Sequence, residues 1–362
     1  MAHGRLGWGI PDQVTARPVG RPIGRDPIAA LRAVAFYLER ERAETYRVKA
    51  YRSAAERLAE LDPDEVATRA RTGTLTDLKG VGKKTAAVVT EVLDGGTSAT
   101  LAELEARHTE PVGGGAAIRA ALRGDCHTHS TWSDGGSDVL EMARTARDLG
   151  HEWMVLTDHS ENLTVANGLT PERRRRQFDV IAEVNEELAP FRLLRGIEVD
   201  ILEDGDIDAP DDLLDELDFV VASVHSKLRA PSELMTARMI AGVSHPLVDV
   251  LGHCTGRLVT GGRGTRPPST FDAEAVFDAC IENGVAVEIN SRPERLDPPR
   301  DLLRQALAAG CEFVVDTDAH APGQLDWQPY GCERAEECEV PIDRIVNTRS
   351  AADLAAWRTR GQ

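Results

Sequence analysis

Residues 124–135 read Gly124-Asp-Cys-His-Thr-His-Ser-Thr-Trp-Ser-Asp-Gly135. His127 and His129 stand two residues apart, and residues i and i+2 of an extended strand point to the same face. Two imidazoles at a strand end can grip one metal ion, and Asp134 can reach a neighbouring one. A His-x-His also falls by chance on surfaces and in cores. Its weight therefore rests on whether the rest of the chain supplies further ligands.

From residue 122 onward apolar runs alternate with helical patterns, which argues for parallel strands under helices. Each run ends in polar residues. Leu122–His129 ends in the two histidines, Trp153–His159 in His159, and Phe191–Asp200 in Glu198 and Asp200. Phe219–His225 ends in His225 and Val248–His253 in His253. Ala286–Asn290 ends in Glu288 and Asn290, and Phe313–His320 in Asp318 and His320. Helices are expected at 137–149, 171–189, 232–241, 272–283 and 299–309. A doubly wound open sheet would gather ligands only at a switch point. Seven contributing strands instead predict an α/β fold, a (β/α)7 barrel with its site on the C-terminal face.

Upstream, residues 1–25 read as a flexible leader without the apolar run of a secretory signal. Asp26-Pro27 supplies a cap and a first-turn proline. Ile28, Leu31, Ala35 and Leu38 then predict a helix over 27–42. A basic helix over 46–58 carries Arg47, Lys49 and Arg52, and a third follows at 63–72. In Leu78-Lys-Gly-Val-Gly-Lys-Lys84, Gly80 and Gly82 make a tight turn that opens a helix reaching Leu93. Free backbone N–H groups there, with Lys79, Lys83 and Lys84, suit a DNA phosphate. An ordinary helical hairpin would show the same glycine spacing. The predicted organisation is a leader (1–25), a small all-α helix-hairpin-helix domain (26–96), a linker (97–123) and the barrel domain (124–362). The linker holds a short helix at 99–108 and Gly113-Gly-Gly115.

The charge is divided accordingly. The net charge of −18 averages a first part (1–123) with 19 Lys and Arg against 16 Asp and Glu, and a remainder with 23 against 44. Any grip on DNA is thus expected from the first part, while the acidic part suits metal ligands. No stretch approaches the ~20 apolar residues of a membrane span. The six cysteines have no framework spacing, which favours reduced thiols and a cytoplasmic setting. Cys332 and Cys338 fall in a predicted loop, before a terminal helix at 350–359 that covers the barrel. Their spacing matches no zinc site. Cys126 and Cys254 sit beside histidines but should face away from them, as packing residues. His245, before the fifth strand, reads as structural, and His108 and His151 have no partners in view.

The 46–58 helix and the glycine hairpin together resemble the small N-terminal domain of family X DNA polymerases. That resemblance implies DNA binding. Members with lyase activity use a lysine in the hairpin's second helix, where this chain has Val88, so lyase activity is not carried over. A polymerase palm should follow the hairpin, and residues 97–123 are too few to form one.

The strand ends resemble the polymerase and histidinol phosphatase (PHP) family of phosphoesterases, in its family X version. The matching landmarks are Asp125-Cys-His-Thr-His129, Ser133-Asp-Gly135, Leu156-Thr-Asp-His159, Gly196-Ile-Glu-Val-Asp-Ile201, Ser223-Val-His-Ser226, Gly252-His-Cys-Thr-Gly-Arg-Leu258, Glu288-Ile-Asn290 and Asp318-Ala-His320. The resemblance implies the distorted barrel of that family and three divalent ions (Zn, Mn or Fe). His127, His129, Glu198 and Asp318 would hold the first. Glu198, His225 and His253 would hold the second, and Asp134, His159 and His320 the third.

Clustered metals activate water and polarise a phosphoryl group, so a metal-bound water is the expected nucleophile. Lys227, Arg257, Arg292 and Arg295 follow strand ends and are candidates to clamp phosphoryl oxygens. The favoured expectation is a metal-dependent phosphoesterase at DNA 3′ ends, a 3′–5′ exonuclease or 3′ repair phosphatase. The alternatives are a small-molecule phosphomonoesterase of the histidinol phosphatase type and a DNA-binding scaffold with an inert metal site.

Overall fold

The computed structural model describes residues 25–107, 112–262 and 264–358. The leader through Gly24, His108 and Thr359 lie outside the described residues.

The helical part comprises α1 (Pro27–Arg40), α2 (Thr45–Ala59), α3 (Pro63–Thr72), α4 (Lys83–Gly95) and α5 (Ala99–Arg107). Asp26 caps α1, its Oδ1 accepting from Ile28 N at 2.9 Å and Ala29 N at 3.1 Å. Asp62 caps α3 in the same way, and Gly73 closes it in the left-handed conformation at φ 72°. The turn before α4 is tied by Thr85, whose Oγ1 accepts from Gly82 N at 2.9 Å. Val88 and Val89 lie buried on the inner side of α4, with Leu31, Leu58 and Leu78 in the same cluster.

A short α6 (Ala116–Ala121), absent from the predicted linker, leads into the barrel. The barrel elements are β1 (Gly124–Thr128), α7 (Val139–Asp148), β2 (Trp153–Leu156), α8 (Pro171–Leu188), β3 (Arg192–Asp200), α9 (Asp211–Leu214) and β4 (Phe219–Ser223). They continue through α10 (Ser232–Val243), β5 (Val250–Leu251), α11 (Ala273–Glu282), β6 (Ala286–Asn290), α12 (Arg300–Ala309) and β7 (Phe313–Asp316). The seven strands pair in chain order, all parallel. A bridge between Thr128 and Ala319, with His129 N donating to Ala319 O at 2.8 Å, nearly closes β1 onto β7. The expected (β/α)7 barrel preceded by a small helical region is the fold found.

Buried on both faces, the strands read as continuous apolar runs. Alternate residues such as Val155, Val221, Val250 and Val314 share an inner cluster with Trp357. Trp357 belongs to α14 (Ala351–Arg358), and its indole donates to Glu312 at 2.7 Å. Cys126 joins that inner cluster while its neighbour His127 serves the site. Cys126 is thus the packing residue expected, fully buried where the β1–β2 register shifts between Asp125 and Thr128. The Cys332–Cys338 stretch is not a loop. Cys332 lies within α13 (Gln328–Glu337) and Cys338 caps it. That helix packs on α6, where a Cβ at Gly115 would come 2.4 Å from the Cys332 carbonyl carbon. His151 also has a partner, Arg119 Nη2 at 3.4 Å from its Nε2. Among the described residues all six cysteines are free thiols, and no helix is long and apolar enough to cross a membrane.

The helical part is packed against the barrel. Helix α1 is buried nearly all round, between α2 and α4 on one side and the turn Pro322–Trp327 on the other. Gly323 is required there, because an added Cβ would come 2.0 Å from Phe36 O. Glu39 accepts from Gly323 N at 2.8 Å, and its carboxylate takes a bidentate grip from Arg52 at 2.9 and 2.7 Å. Arg52 also pairs with Glu141 of α7. Arg52, expected among the DNA contacts, is therefore a buried cross-link between the two parts. Its position on α2 turns it inward, whereas Arg47 and Lys49 remain exposed. Arg52→Ala strands Glu39 without its counter-charge and should destabilise the chain by ~3–5 kcal/mol in denaturant titration.

Candidate active site

Glu198, near the end of β3, is the hub. Its Oε2 lies 3.2 Å from His127 Nε2, 3.6 Å from His129 Nε2 and 2.9 Å from His159 Nδ1. Its Oε1 lies 3.2 Å from His225 Nε2 and 3.0 Å from His253 Nε2. Five imidazoles from four strand ends thus surround one buried carboxylate. On one side, Asp318 Oδ1 is 3.5 Å from His129 Nε2. Asp134 Oδ1 is 3.5 Å from His159 Nε2 and 3.4 Å from His320 Nε2. All nine residues singled out as ligands therefore meet in one cluster.

Three groups have ligand atoms close enough to share an ion. They are His129, Asp134, His159 and His320; His127, His129 and Glu198; and His159, Glu198 and His225. His129 and His159 each fall in two groups, so the division among ions is less clean than the resemblance implied. Asp318 adopts φ 53°, a left-handed backbone that costs energy in a residue other than glycine and is held here by its surroundings.

Several buried nitrogens find no hydrogen-bond partner, among them His127 Nε2, His159 Nδ1, His225 Nδ1, His253 Nδ1 and both nitrogens of His129. Burying such groups unpaired is costly. Burial and the neighbouring imidazoles of His320 and His159 push His129 down to about 3. At His225, burial is overridden by Glu198 and Asp200, which lift it to about 9. Burial alone would raise Glu198, yet His127, His225 and His159 hold it well below the usual carboxylate range. A nest of imidazoles around ionised carboxylates, with unspent nitrogens, fits divalent cations, and the mixed nitrogen and oxygen donors suit zinc, manganese or iron.

A second layer orients these groups. Glu288 Oε1 lies 2.8 Å from His127 Nδ1, and Asp200 Oδ1 lies 3.3 Å from His225 Nδ1. The Glu288–His127 hydrogen bond fixes that ring and its tautomer, while Asp200 holds His225 by charge and by accepting from its backbone N at 3.0 Å. Asp158 accepts from Ser130 N at 2.7 Å, Ser130 Oγ at 2.6 Å and Ser133 Oγ at 2.5 Å, which fastens the loop bearing Asp134. Sequence reasoning noted Glu288 and Asp200 at strand ends without giving them this role. Their spacing from other site residues was the available signal.

The four candidate clamp residues separate. Arg295 Nε reaches Asp318 Oδ2 at 3.1 Å, and Arg292 Nη1 reaches Asp318 O at 3.2 Å and His320 Nδ1 at 3.1 Å. Both stand at the cluster's edge. Arg257 does not, because its guanidinium donates to the carbonyls of Arg295 and Leu296 and is spent on the loop. Lys227 is 65% exposed and faces Glu203 at 3.7 Å. In the helical part, Lys79, Gly80, Gly82, Lys83 and Lys84 form an exposed group at the start of α4.

Comparison with known proteins places these features among relatives. The helix-hairpin-helix domain family matches residues 25–98, and the PHP domain family matches residues 125–292. The DNA polymerase/3′-5′ exonuclease PolX of Bacillus subtilis is 38% identical over 239 residues, covering 66% of this chain but only 41% of that protein. A probable phosphatase of Vibrio vulnificus is 31% identical over 253 residues, 67% of this chain and 95% of that protein. Among solved structures, the histidinol phosphate phosphatase of Lactococcus lactis, complexed with zinc, L-histidinol and phosphate, aligns with 60% of this chain and 92% of its own. The identity there is 19% and the TM-score 0.44.

Proposed function

This chain belongs to the PHP family and is a metal-dependent hydrolase of phosphoester bonds, and from that premise we propose that it acts on DNA 3′ ends. The activity is a 3′–5′ exonuclease or 3′ repair phosphatase. The observation that carries this reading is the joining of an exposed Gly80–Lys84 hairpin to a barrel whose nine site residues form one cluster with Glu198 at its hub. The similarity to the PolX exonuclease supports it.

In this reading His127, His129, Glu198 and Asp318 hold one ion, Glu198, His225 and His253 a second, and Asp134, His159 and His320 a third. Bound divalent ions supply Lewis acidity toward phosphoryl oxygens and lower the pKa of water. Everything else falls to the chain's own residues. Glu288 and Asp200 keep His127 and His225 aimed. Arg292 and Arg295 offer guanidinium donors to the phosphoryl oxygens beside Asp318. The hairpin holds the duplex by its backbone, with Lys83 and Lys84 on phosphates and no reading of bases.

With manganese and 3′-labelled recessed or gapped DNA, the wild-type chain should shorten or dephosphorylate the primer, and His127→Ala should leave it untouched. Intact primer in both would refute the reading. The hairpin has its own test. Replacing Lys83 and Lys84 by alanine should weaken binding to all DNA sequences alike. It should also flatten the slope of log affinity against log salt by roughly two, about 0.9 for each phosphate no longer neutralised.

A second reading, a small-molecule phosphomonoesterase, is favoured by the match to 95% of a probable phosphatase. It predicts turnover of histidinol phosphate or a similar ester that is indifferent to the hairpin substitutions.

A further inference from the structure

The barrel's arginine clamp does not stand on the barrel alone. Arg292 reaches His320 and the Asp318 carbonyl through Nη1. Its Nε faces Glu294 Oε2 at 3.6 Å, and its guanidinium lies over the Trp327 ring, 5.8 Å from the centroid. Both supports are held by the end of α1. The Trp327 indole donates to Arg40 O at 3.0 Å, and Glu294 Oε1 lies 3.4 Å from Arg42 Nη1. Arg42 reaches there from a left-handed turn at φ 58°, just past the helix. The geometry is exacting at Glu294 as well. Its Oε2 is buried with no hydrogen-bond partner, so only charge and packing hold it.

We infer that the helical module is a structural part of the hydrolytic face: Arg42, Glu294 and Trp327 are positioning residues that set Arg292 against the phosphoryl group. This rests on the hydrolase reading above and on Arg292 as a clamp. An arginine left with a free stem samples many rotamers, and ordering it at each encounter weakens phosphate binding. Glu294, shared between two arginines, draws Arg292 along one line, while Trp327 fixes the plane of its guanidinium. The barrel supplies Trp327 and Glu294, and the helical module supplies the carbonyl and the cation that hold them.

The test uses the full-length, metal-loaded chain and two probes too small to touch the DNA-gripping hairpin. These are inorganic phosphate, bound in a calorimeter, and p-nitrophenyl phosphate, hydrolysed under steady state. Arg42→Ala and Glu294→Gln should each raise the phosphate dissociation constant and KM about tenfold, with kcat held within about twofold. Arg42→Lys should restore most of the loss, since one Nη1 contact is all that a lysine must replace. Arg42→Ala on top of Arg292→Ala should add nothing, because the two act through one group.

Unchanged phosphate affinity in Arg42→Ala and Glu294→Gln would overturn the inference. So would a fall in kcat at constant KM, or full additivity with Arg292→Ala, which would mark general disruption. If the wild type hydrolyses no ester, the hydrolase reading fails while phosphate affinity still decides the positioning. Wild-type protein that binds no phosphate overturns the positioning too.

Discussion

Glu198→Gln is expected to lower kcat by at least ~10³ on any phosphate ester, a loss of ~4 kcal/mol in transition-state stabilisation. The substitution keeps the shape of the side chain and removes only its charge. That charge is the one that five imidazoles face, at 2.9 to 3.6 Å. Without it the cluster loses the carboxylate that two ion sites would share, and the nitrogens around it compete only for protons. His129→Ala should have a loss of the same order, since His129 belongs to two of the three candidate groups. Neither change touches the helical module. Affinity for duplex DNA, measured by fluorescence anisotropy, should stay within about twofold of wild type. Loss of hydrolysis and DNA affinity together would refute the assignment of grip and chemistry to different parts of the chain.

Stripping the protein with a chelator should abolish hydrolysis and lower the melting temperature. An ion that binds the folded chain alone stabilises it by ~2.7 kcal/mol when present at a hundred times its dissociation constant. In a chain of 362 residues one such ion corresponds to a shift of about 4 °C. The sign follows from the electrostatics. In the absence of cations, His127, His129, His159, His225 and His253 keep buried nitrogens without partners. Adding back zinc, manganese or iron should restore stability and activity in parallel. Metal content below one ion per chain, in a protein that remains active, would contradict the account and would leave the cluster without its chemistry.

Much of this was legible in the sequence for a simple reason. Each barrel strand is an apolar run that stops at polar residues, so the runs locate the strands and their ends locate the site. Eight of the nine clustered residues were visible this way, because a parallel barrel brings strand ends together whatever the loops do. Asp134 lies in the loop after β1, and the choice of the nine as ligands came from the resemblance to the PHP family. What stayed hidden depends on how elements pack against one another. Arg52 sits in the same basic helix as Arg47 and Lys49, and only the packing of α1 against Pro322–Trp327 shows that it faces Glu39 and Glu141. Arg257 and Arg292 both follow strand ends, yet one is spent on loop carbonyls and the other reaches His320. Glu288 lies at a strand end like a ligand, but its distance to His127 Nδ1 makes it a support. The register shift within β1 between Asp125 and Thr128 leaves no periodic trace in five residues.

The central claim, hydrolysis at DNA 3′ ends by a barrel that a DNA-gripping module serves, is tested most directly by one ratio. That ratio is kcat/KM for a gapped duplex bearing a 3′-phosphate over kcat/KM for histidinol phosphate, both with the full chain and manganese. Holding the duplex raises the local concentration of its ends, so the ratio should exceed ~10² at low salt. It should fall steeply as salt weakens the grip on the phosphates. A ratio below one, or one that salt does not change, would contradict the account and identify a small ester as the substrate.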